Sequence, residues 1–377
     1  MSTFAVVTAA AGGNMPPALA IGSALARRGN ELHVLGQERQ RAAVESAGLA
    51  FTPLASLEFY DSRVRRSVPD AIAQAARLAA DRELEREVAD HVRVLGADAA
   101  LVDCLLASSL RGARRAGVPA AVLFHTFLEF WERSYRRGPV GILARMRGVD
   151  PLAEWNAAEG RIVASLRTLD PAGSREGEGE RPAASWVGAI EHGVAAAPDA
   201  GRPPLVMVSL STTWFPGQTE AYQRIVTALG SLPVRGVVTL GGLTPDRELV
   251  VPPNVEVLDF ASHDELLPRA SLVIGHGGHS TTFRALAHGL PVIAVPMHPM
   301  LDQPMVADAI AGAGVGVHLH RRSSSDRFAA AVTALLADDE LRGRAARFGA
   351  ELRATDAAAT AADALERVAA RRPHAAA

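Results

Sequence analysis

The sequence predicts an α/β protein made of two domains, each with a parallel sheet and flanking helices. Three observations favour this class: 377 residues are enough for two separate cores, short apolar runs alternate with helical patterns, and the alternation starts again near Pro204. We therefore predict Rossmann-like domains at residues 1–190 and 205–377. A linker at 191–204 joins them, because its Gly, Pro and charge content is typical of a stretch that does not pack. The last helix is a candidate for packing back on the first domain.

A strand–loop–helix–strand unit opens the first domain. The run FAVVTAA leads into a glycine pair, apolar residues then recur at helical spacing up to Gly29, and ELHVLG resumes as a strand. Such a βαβ unit implies a parallel sheet, and AALVDCLL and PAAVLFHTF repeat the strand pattern. Because asparagine is among the best N-cap residues, we predict that Asn14 mainly caps the first helix.

Composition argues against several classes of function. The formal net charge is −2, so no basic excess marks a nucleic-acid or anionic-membrane partner. No run reaches the roughly 18 apolar residues of a membrane span, and the N-terminus lacks the basic and apolar regions of a signal peptide. The single cysteine, Cys104, excludes an intramolecular disulfide and fits a reducing cytosol. We expect a cytoplasmic protein whose oligomeric state, a homodimer included, the sequence leaves open.

The most informative stretch is LVIGHGGHSTTFRALAHGLPVIAVPMHPMLDQP, in the second domain. A buried strand runs into His276 and two glycines, and Ser280 or Thr281 is placed to cap the short helix that follows. Glycines before a helix N-terminus expose backbone N–H groups, and the helix dipole favours negative charge there. This loop therefore predicts a phosphate site that needs no metal. Farther on, Asp302 and Gln303 offer a carboxylate and an amide for sugar hydroxyls.

The order of these features resembles the donor signature of family 1 glycosyltransferases, H-G-G-x-x-[ST]-T…G-x-P…[DE]-Q, and more narrowly that of bacterial antibiotic and macrolide glycosyltransferases. VMVSLSTTW is similar to the V-S-L-G-[ST] loop that opens the second domain of that family. The resemblance implies the GT-B fold, in which two Rossmann-like domains face each other across a cleft, and a nucleoside diphosphate sugar as the donor. The expected donor-binding residues are then Ser211, Thr212, Phe260, Ala261, Ser262, His276, Gly277, Gly278, His279, Ser280, Thr281, Asp302 and Gln303.

One departure from the family pattern concerns the nucleoside. Plant members carry a glutamate at the position of Arg284, and that glutamate accepts hydrogen bonds from the ribose hydroxyls of UDP. Arginine has only donors, so this contact is lost, and a 2′-deoxyribose needs it less. We therefore expect a dTDP-sugar with a deoxygenated sugar as the co-substrate, with a UDP-sugar as the alternative.

We predict neither a metal nor another cofactor. No Asp-x-Asp pair occurs in the sequence, so a metal-dependent diphosphate site is not indicated. His318 and His320 alternate along a predicted strand, but two histidines without a nearby third ligand are more typical of a surface than of a zinc site.

The catalytic base is the unsettled part of the prediction. In the resembling family it is usually the histidine of G-H-x-x-P, held by an aspartate from another strand, whereas this chain has GGNMPP with Asn14 at that position. A carboxamide does not accept a proton near neutral pH, which leaves three alternatives. Either Asp103 or His125 is the base, or the acceptor needs little base catalysis, or the protein binds without catalysing. The second alternative is attractive because the opening resembles that of indolocarbazole N-glycosyltransferases, which implies an aromatic acceptor.

Aromatic residues are crowded into one segment of the first domain. Three of them recur at helical spacing, so they form either a core face or a pocket for a flat aglycone. The candidate acceptor-binding residues are Gly13, Met15, Phe59, Phe127, Phe130 and Trp131. The resemblance implies an inverting, metal-independent transfer of a sugar from a dTDP-sugar to an aromatic or polyketide natural product. The alternatives are an NDP-sugar epimerase of the same architecture and a non-catalytic protein that binds sugar nucleotides.

Overall fold

The computed structural model describes residues 1–175 and 183–371. Its contacts divide the chain into an N-terminal unit, which comprises Met1–Ile190 and the chain from Asp356 onward, and a C-terminal unit, which comprises Glu191–Thr355. Every strand pairing in the two sheets is parallel, which confirms the predicted α/β class. Within the described ranges, none of the helices combines the length and apolarity needed to cross a membrane.

The sheet of the N-terminal unit is apolar on both faces. Its strands are β1 (Thr3–Val7), β2 (Glu31–Gly36), β3 (Ala50–Pro53), β4 (Ala99–Asp103), β5 (Ala120–Phe124), β6 (Gly160–Val163) and β7 (Ser185–Trp186), in the spatial order β3-β2-β1-β4-β5-β6-β7. Successive side chains of a strand point to opposite faces, so Leu101 and Val102 enter different core layers. Burial of both faces explains why these strands read as continuous apolar runs.

Helices cover this sheet. They are α1 (Met15–Arg27), α2 (Arg41–Ser46), α3 (Val68–Ala79), α4 (Arg82–Val94), α5 (Ala107–Arg115), α6 (Leu128–Arg137), α7 (Pro139–Met146), α8 (Pro151–Asn156) and α15 (Ala357–Ala369). The last of these packs on α1, β4 and β6, so the end of the described chain completes the N-terminal unit. Arg28, just after α1, fixes α15 by donating to Asp363 at 2.6 Å and to Glu366 at 2.7 Å.

The C-terminal unit repeats the architecture with six strands. They are β8 (Leu205–Ser209), β9 (Arg235–Thr239), β10 (Val255–Leu258), β11 (Leu272–Gly275), β12 (Val292–Ala294) and β13 (Gly316–His318), in the order β10-β9-β8-β11-β12-β13. Its helices are α9 (Gln218–Gly230), α10 (His263–Leu266), α11 (His279–Ala287), α12 (Gln303–Gly312), α13 (Ser325–Ala337) and α14 (Asp339–Ala354).

Part of the predicted linker packs closely on the C-terminal unit. We call residues 191–197 the strap. The backbone N–H of Ala196 donates to the His288 carbonyl at 2.9 Å, and a Cβ at Gly193 would lie 2.9 Å from the carbonyl carbon of Ala287. The prediction of a loose linker is therefore wrong for the strap. These contacts depend on backbone groups, a glycine and residues far along the chain, so the composition of the strap alone does not reveal them.

A buried carboxylate holds the start of α6. Asp170, in the loop after β6, accepts hydrogen bonds from the backbone N–H groups of Leu128 at 2.7 Å and Glu129 at 3.2 Å, and from the Trp186 indole at 3.0 Å. Burial raises the pKa of this carboxyl. Phe127 stands at the N-cap position and has no capping side chain, so Asp170 supplies the cap from another part of the chain.

Asp170→Ala should lower the free energy of unfolding of the N-terminal unit by about 3 kcal/mol, because it leaves buried N–H donors without partners. Equilibrium urea unfolding measures the loss. Asp150→Ala is the matched control, since Asp150 caps α8 through one bond to Leu152 N at 3.2 Å and should cost only about 1 kcal/mol. Equal losses for the two variants would contradict the role assigned to Asp170.

Candidate active site

In each unit the candidate site lies at the carboxyl edge of the sheet, where the strand order reverses. From β1 the chain continues to β2 on one side, whereas β4 is the neighbour of β1 on the other side. Loops that leave two adjacent strands in opposite directions open a crevice, which is where parallel sheets bind ligands. In the N-terminal unit this edge brings together Asn14, Asp103 and His125. In the C-terminal unit the reversal falls between β8 and β11, and Ser211 and His276 follow these adjacent strands.

Asn14 is fully buried, and its amide joins two strand ends. Nδ2 donates to Asp103 Oδ2 at 2.8 Å and to the Ala9 carbonyl at 2.7 Å, while Oδ1 accepts from Ala11 N at 3.2 Å. No side-chain hydrogen bond caps α1, so the capping role predicted for Asn14 is wrong. A charge-assisted bond to a buried carboxylate is stronger than a bond to a helix N–H, and the side chain takes the stronger partner.

Asp103 is held on both oxygens. Oδ1 accepts a hydrogen bond from Leu105 N at 2.9 Å, and Oδ2 accepts one from the Asn14 amide. Only 2% of the residue is exposed. His125, directly after β5, approaches the same carboxylate with Nδ1 3.5 Å from Oδ2, and 13% of its side chain is exposed. Of the two predicted bases, His125 is therefore the more accessible, and Asp103 is placed to orient it. With Nδ1 turned towards the carboxylate, Nε2 is the ring nitrogen left for an acceptor.

A thiol lies beside this pair. Cys104 Sγ is 3.9 Å from His125 Nδ1. Burial, followed by the neighbouring Asp103 charge, raises the pKa of the thiol well above its usual value. In the sequence, Cys104 indicated only that no intramolecular disulfide forms. Its position directly after Asp103 at a predicted strand end was the signal that could have drawn attention to it.

The aromatic residues predicted for the acceptor divide between core and surface. Phe127 is fully buried and Trp131 is only 6% exposed, so both side chains belong to the interior. The Trp131 ring packs edge-on against His125, with ring centroids 5.1 Å apart, and so supports the imidazole. The remaining candidates keep surface that an acceptor could contact: Gly13, Met15, Phe59 and Phe130.

The loop after β11 has the geometry of an anion site. Gly277 has a φ of +78°, and a Cβ there would lie 2.8 Å from the Gln303 carbonyl oxygen, so the position requires glycine on both counts. The imidazole of His276 lies against Gly278, leaving no room for a Cβ. Gly278 is also the N-cap residue of α11 and offers no side chain. No side chain therefore caps the first turn of this helix, as is usual where a helix N-terminus binds an anion.

Neither Ser280 nor Thr281 stands at the N-cap of α11, contrary to the prediction, because that position is occupied by Gly278. The Ser280 side chain is turned towards the strap instead. Ser280 Oγ donates to Glu191 Oε1 at 2.5 Å, and Glu191 Oε2 accepts from Arg284 Nε at 3.0 Å. The Glu191 side chain is 3% exposed, and burial raises the pKa of its carboxyl despite the Arg284 charge. The backbone N–H of Ser280 is what remains for a phosphate. No local signal could have found Glu191, because its partners lie 89 and 93 positions along the chain.

The two residues predicted for the sugar differ in accessibility. Gln303 is 3% exposed, and its Oε1 accepts from Met297 N at 2.8 Å and from His298 N at 3.1 Å, so it holds the loop after β12. Asp302, at the start of α12, is half-buried and keeps accessible surface. A sugar hydroxyl can therefore reach Asp302 more readily than Gln303.

Ser211 has a backbone conformation that is rare for a residue with a side chain, with a φ of +101°. It stands at the glycine position of the resembling V-S-L-G-[ST] loop. Strain of this kind costs about 1–3 kcal/mol and is concentrated at ligand sites. Among the other predicted donor residues, His279 is 7% exposed and its ring stacks on Phe283. Accessible surface remains on Thr212, Phe260, Ala261, Ser262 and Thr281.

His276 should be neutral at physiological pH. Desolvation by the surrounding protein lowers its pKa from 6.5 to about 4, so between these values the unfolded chain binds the proton and the folded chain does not. The free energy of unfolding should therefore fall as the pH drops from about 6.5 to 4. Urea unfolding of His276→Gln should show a smaller fall over that interval than the unchanged protein. Identical pH dependence in both would contradict the lowered pKa.

Comparisons with known proteins show which sequences and folds are similar to this chain. Residues 223–368 match the family model described as "Erythromycin biosynthesis protein CIII-like, C-terminal domain". The chain is 35% identical over 177 residues to demethyllactenocin mycarosyltransferase of Streptomyces fradiae, a match covering 46% of this chain and 38% of the relative. It is 32% identical over 170 residues to 4'-demethylrebeccamycin synthase of Lentzea aerocolonigenes, covering 45% and 39%. The matches thus span about two fifths of the length of either relative.

Similarity of structure extends over almost the whole chain. The crystal structure of the glycosyltransferase VinC in complex with dTDP superposes with a TM-score of 0.73 at 21% identity, covering 98% of this chain and 100% of that one. At this identity the likeness shows the fold, and it confirms the GT-B prediction. Residues 223–368 of this chain are therefore similar to the EryCIII-like C-terminal domain, and the chain as a whole has the GT-B fold.

Proposed function

We propose that the protein is an inverting glycosyltransferase that moves a sugar from a nucleoside diphosphate to a natural-product aglycone. The observation that carries the proposal is the pair of functional groups found at the carboxyl edges of the two sheets. The C-terminal unit presents an uncapped helix N-terminus suited to a diphosphate, and the N-terminal unit presents an imidazole backed by a buried carboxylate. The relatives named as a mycarosyltransferase and as a demethylrebeccamycin synthase support the same class of reaction.

On the donor side, the diphosphate binds the first N–H groups of α11 and the neutral imidazole of His276. The helix dipole and the backbone donors stabilise the negative charge that grows on the leaving nucleoside diphosphate, without a metal ion. Asp302 accepts hydrogen bonds from sugar hydroxyls. Ser211 and Thr212 follow β8 beside this loop and complete the donor side.

On the acceptor side, His125 takes the proton. As the acceptor oxygen or nitrogen attacks the anomeric carbon, its proton passes to Nε2 of His125, and the bond between the anomeric carbon and the diphosphate oxygen breaks. Attack opposite the leaving group inverts the anomeric configuration. Asp103 stabilises the imidazolium that forms, and Asn14 holds Asp103 in place. Asn14 thus stands at the position of the family's usual base, while His125 supplies the imidazole from β5.

Incubation of the protein with a panel of dTDP-sugars and aromatic or polyketide aglycones, read by mass spectrometry, tests the proposed reaction. A glycoside that forms only when both substrates are present supports it. Conversion of the donor alone into an isomer would identify an epimerase instead. Donor binding by calorimetry with no glycoside from any acceptor would favour a non-catalytic role.

His125→Gln should lower kcat by roughly 10²–10⁴-fold, because it removes the proton acceptor, while donor affinity stays unchanged. Steady-state kinetics and calorimetry measure the two quantities. His33→Gln is the matched control, since His33 lies on β2 with its Nε2 2.6 Å from Thr52 Oγ1, away from the site. Asp103→Asn should also lower kcat, because the imidazole loses the carboxylate that orients it. Full turnover by His125→Gln would mean that the acceptor needs no base.

The dTDP specificity is a separate expectation. Arg284 offers no acceptor to a 2′-hydroxyl, and both oxygens of the nearby Glu191 are already bonded. VinC, which shares the fold, was solved with dTDP. Calorimetry should therefore show that dTDP binds at least as tightly as UDP. Binding of UDP at least tenfold more tightly would overturn this expectation, and loss of that preference in Glu191→Gln would then identify Glu191 as the group that accepts the 2′-hydroxyl.

A further inference from the structure

Three side chains of metal-binding type converge at the carboxyl ends of β4 and β5. One candidate ligand atom from each of Asp103, Cys104 and His125 lies within 4.8 Å of the other two. The nitrogen is 3.5 Å from the carboxylate oxygen and 3.9 Å from the sulfur. The sequence did not predict this grouping, because the cysteine and the histidine lie 21 positions apart on different strands.

The two separations from His125 Nδ1 suit a tetrahedral zinc ion. Zinc binds sulfur at about 2.3 Å, histidine nitrogen at about 2.0–2.1 Å and carboxylate oxygen at about 2.0–2.2 Å, so neighbouring ligand atoms lie roughly 3.3–3.7 Å apart. The distances from His125 Nδ1 are thus within a few tenths of an ångström of that geometry. A thiolate and an imidazole also favour Zn²⁺ or Co²⁺ over Mg²⁺ or Ca²⁺, which prefer oxygen ligands.

The residues around the cluster are arranged as outer-shell partners of a metal site would be. Asn14 Nδ2 and Leu105 N each donate to one oxygen of Asp103, and the Trp155 indole donates to the Cys104 carbonyl at 3.1 Å. Such bonds fix the orientation of ligands before the ion arrives. Asp103 and Cys104 are almost inaccessible, whereas His125 retains some exposed surface, so the ion reaches the cluster past the imidazole.

We propose that Asp103, Cys104 and His125 form a three-ligand Zn²⁺ site and that the ion inhibits the protein. The inhibition rests on the proposed function. When Nδ1 of His125 binds the metal, the single proton of the neutral ring resides on Nε2, and the Cys104 thiol releases its proton to water. The nitrogen that should accept the acceptor proton then carries a hydrogen already, and Asp103 is bound to the ion. Water fills the fourth position.

Titration with Co²⁺ tests the site without reference to any activity. Because Cys104 is the only cysteine of the chain, a sulfur-to-cobalt charge-transfer band can arise only there. We expect one equivalent of Co²⁺ to give the band, Cys104→Ala to lack it, and His125→Gln to bind Co²⁺ at least tenfold more weakly. Excess Zn²⁺ should abolish the band. Absence of the band in the unchanged protein, or unchanged affinity in both His125→Gln and Asp103→Asn, would overturn the proposal.

The inhibitory role is tested by the transfer assay. Each variant is measured with and without Zn²⁺, and with a chelator added afterwards. The unchanged protein should lose most of its turnover to Zn²⁺ and regain it with the chelator, whereas Cys104→Ala should show the same turnover with and without the ion. Equal inhibition of Cys104→Ala would place the inhibitory ion elsewhere and overturn this role. If no transfer occurs at all, the proposed function fails, and the cobalt spectrum still decides the metal site.

Discussion

The structure depends on one topological constraint, which is that each parallel sheet reverses its strand order beside its first strand. Apolar layers cover both faces of the N-terminal sheet, and an apolar cluster packs on the C-terminal sheet, so the loops at the carboxyl edges are where the candidate functional side chains lie. The reversal between β1 and β4 places Asn14 and Asp103 on facing loops, and the reversal between β8 and β11 does the same for Ser211 and His276. The candidate functional residues of each unit thus lie at one edge of its sheet.

Charged groups are compensated in different ways at the carboxyl edges of the two sheets. In the N-terminal unit one buried carboxylate is compensated by amide donors and by an imidazole. In the C-terminal unit the side chains nearest the anion loop are neutral or already paired: the pKa of His276 is about 4, and Arg284 is bonded to Glu191. The attraction for an anion therefore comes mainly from backbone N–H groups and the helix dipole. Fixed backbone donors recognise the shape of a diphosphate as well as its charge.

The sequence predicted the features that depend on neighbouring residues. It missed the contacts between residues that lie far apart in the chain. The βαβ units, the strand edges and the glycine loop before α11 follow from spacing and turn residues, and the structure contains all of them. The capping roles of Asn14 and Ser280 were wrong because Asp103 and Glu191, each 89 positions away, offered better hydrogen-bond partners. The strap was misjudged because it is attached by backbone groups and by Glu191, whose partners lie far along the chain. The packing of Phe127 was left open because helical spacing alone does not separate a core face from a pocket wall.

The position of α15 has a consequence for how the protein is made. Domains of a nascent chain usually fold in the order in which they emerge. Here the helix that covers α1, β4 and β6 is encoded after the entire C-terminal unit. The C-terminal unit is one continuous stretch and can finish folding as soon as it leaves the ribosome. The N-terminal unit, although translated first, stays with an uncovered apolar face until α15 emerges, and it is therefore the last to be completed.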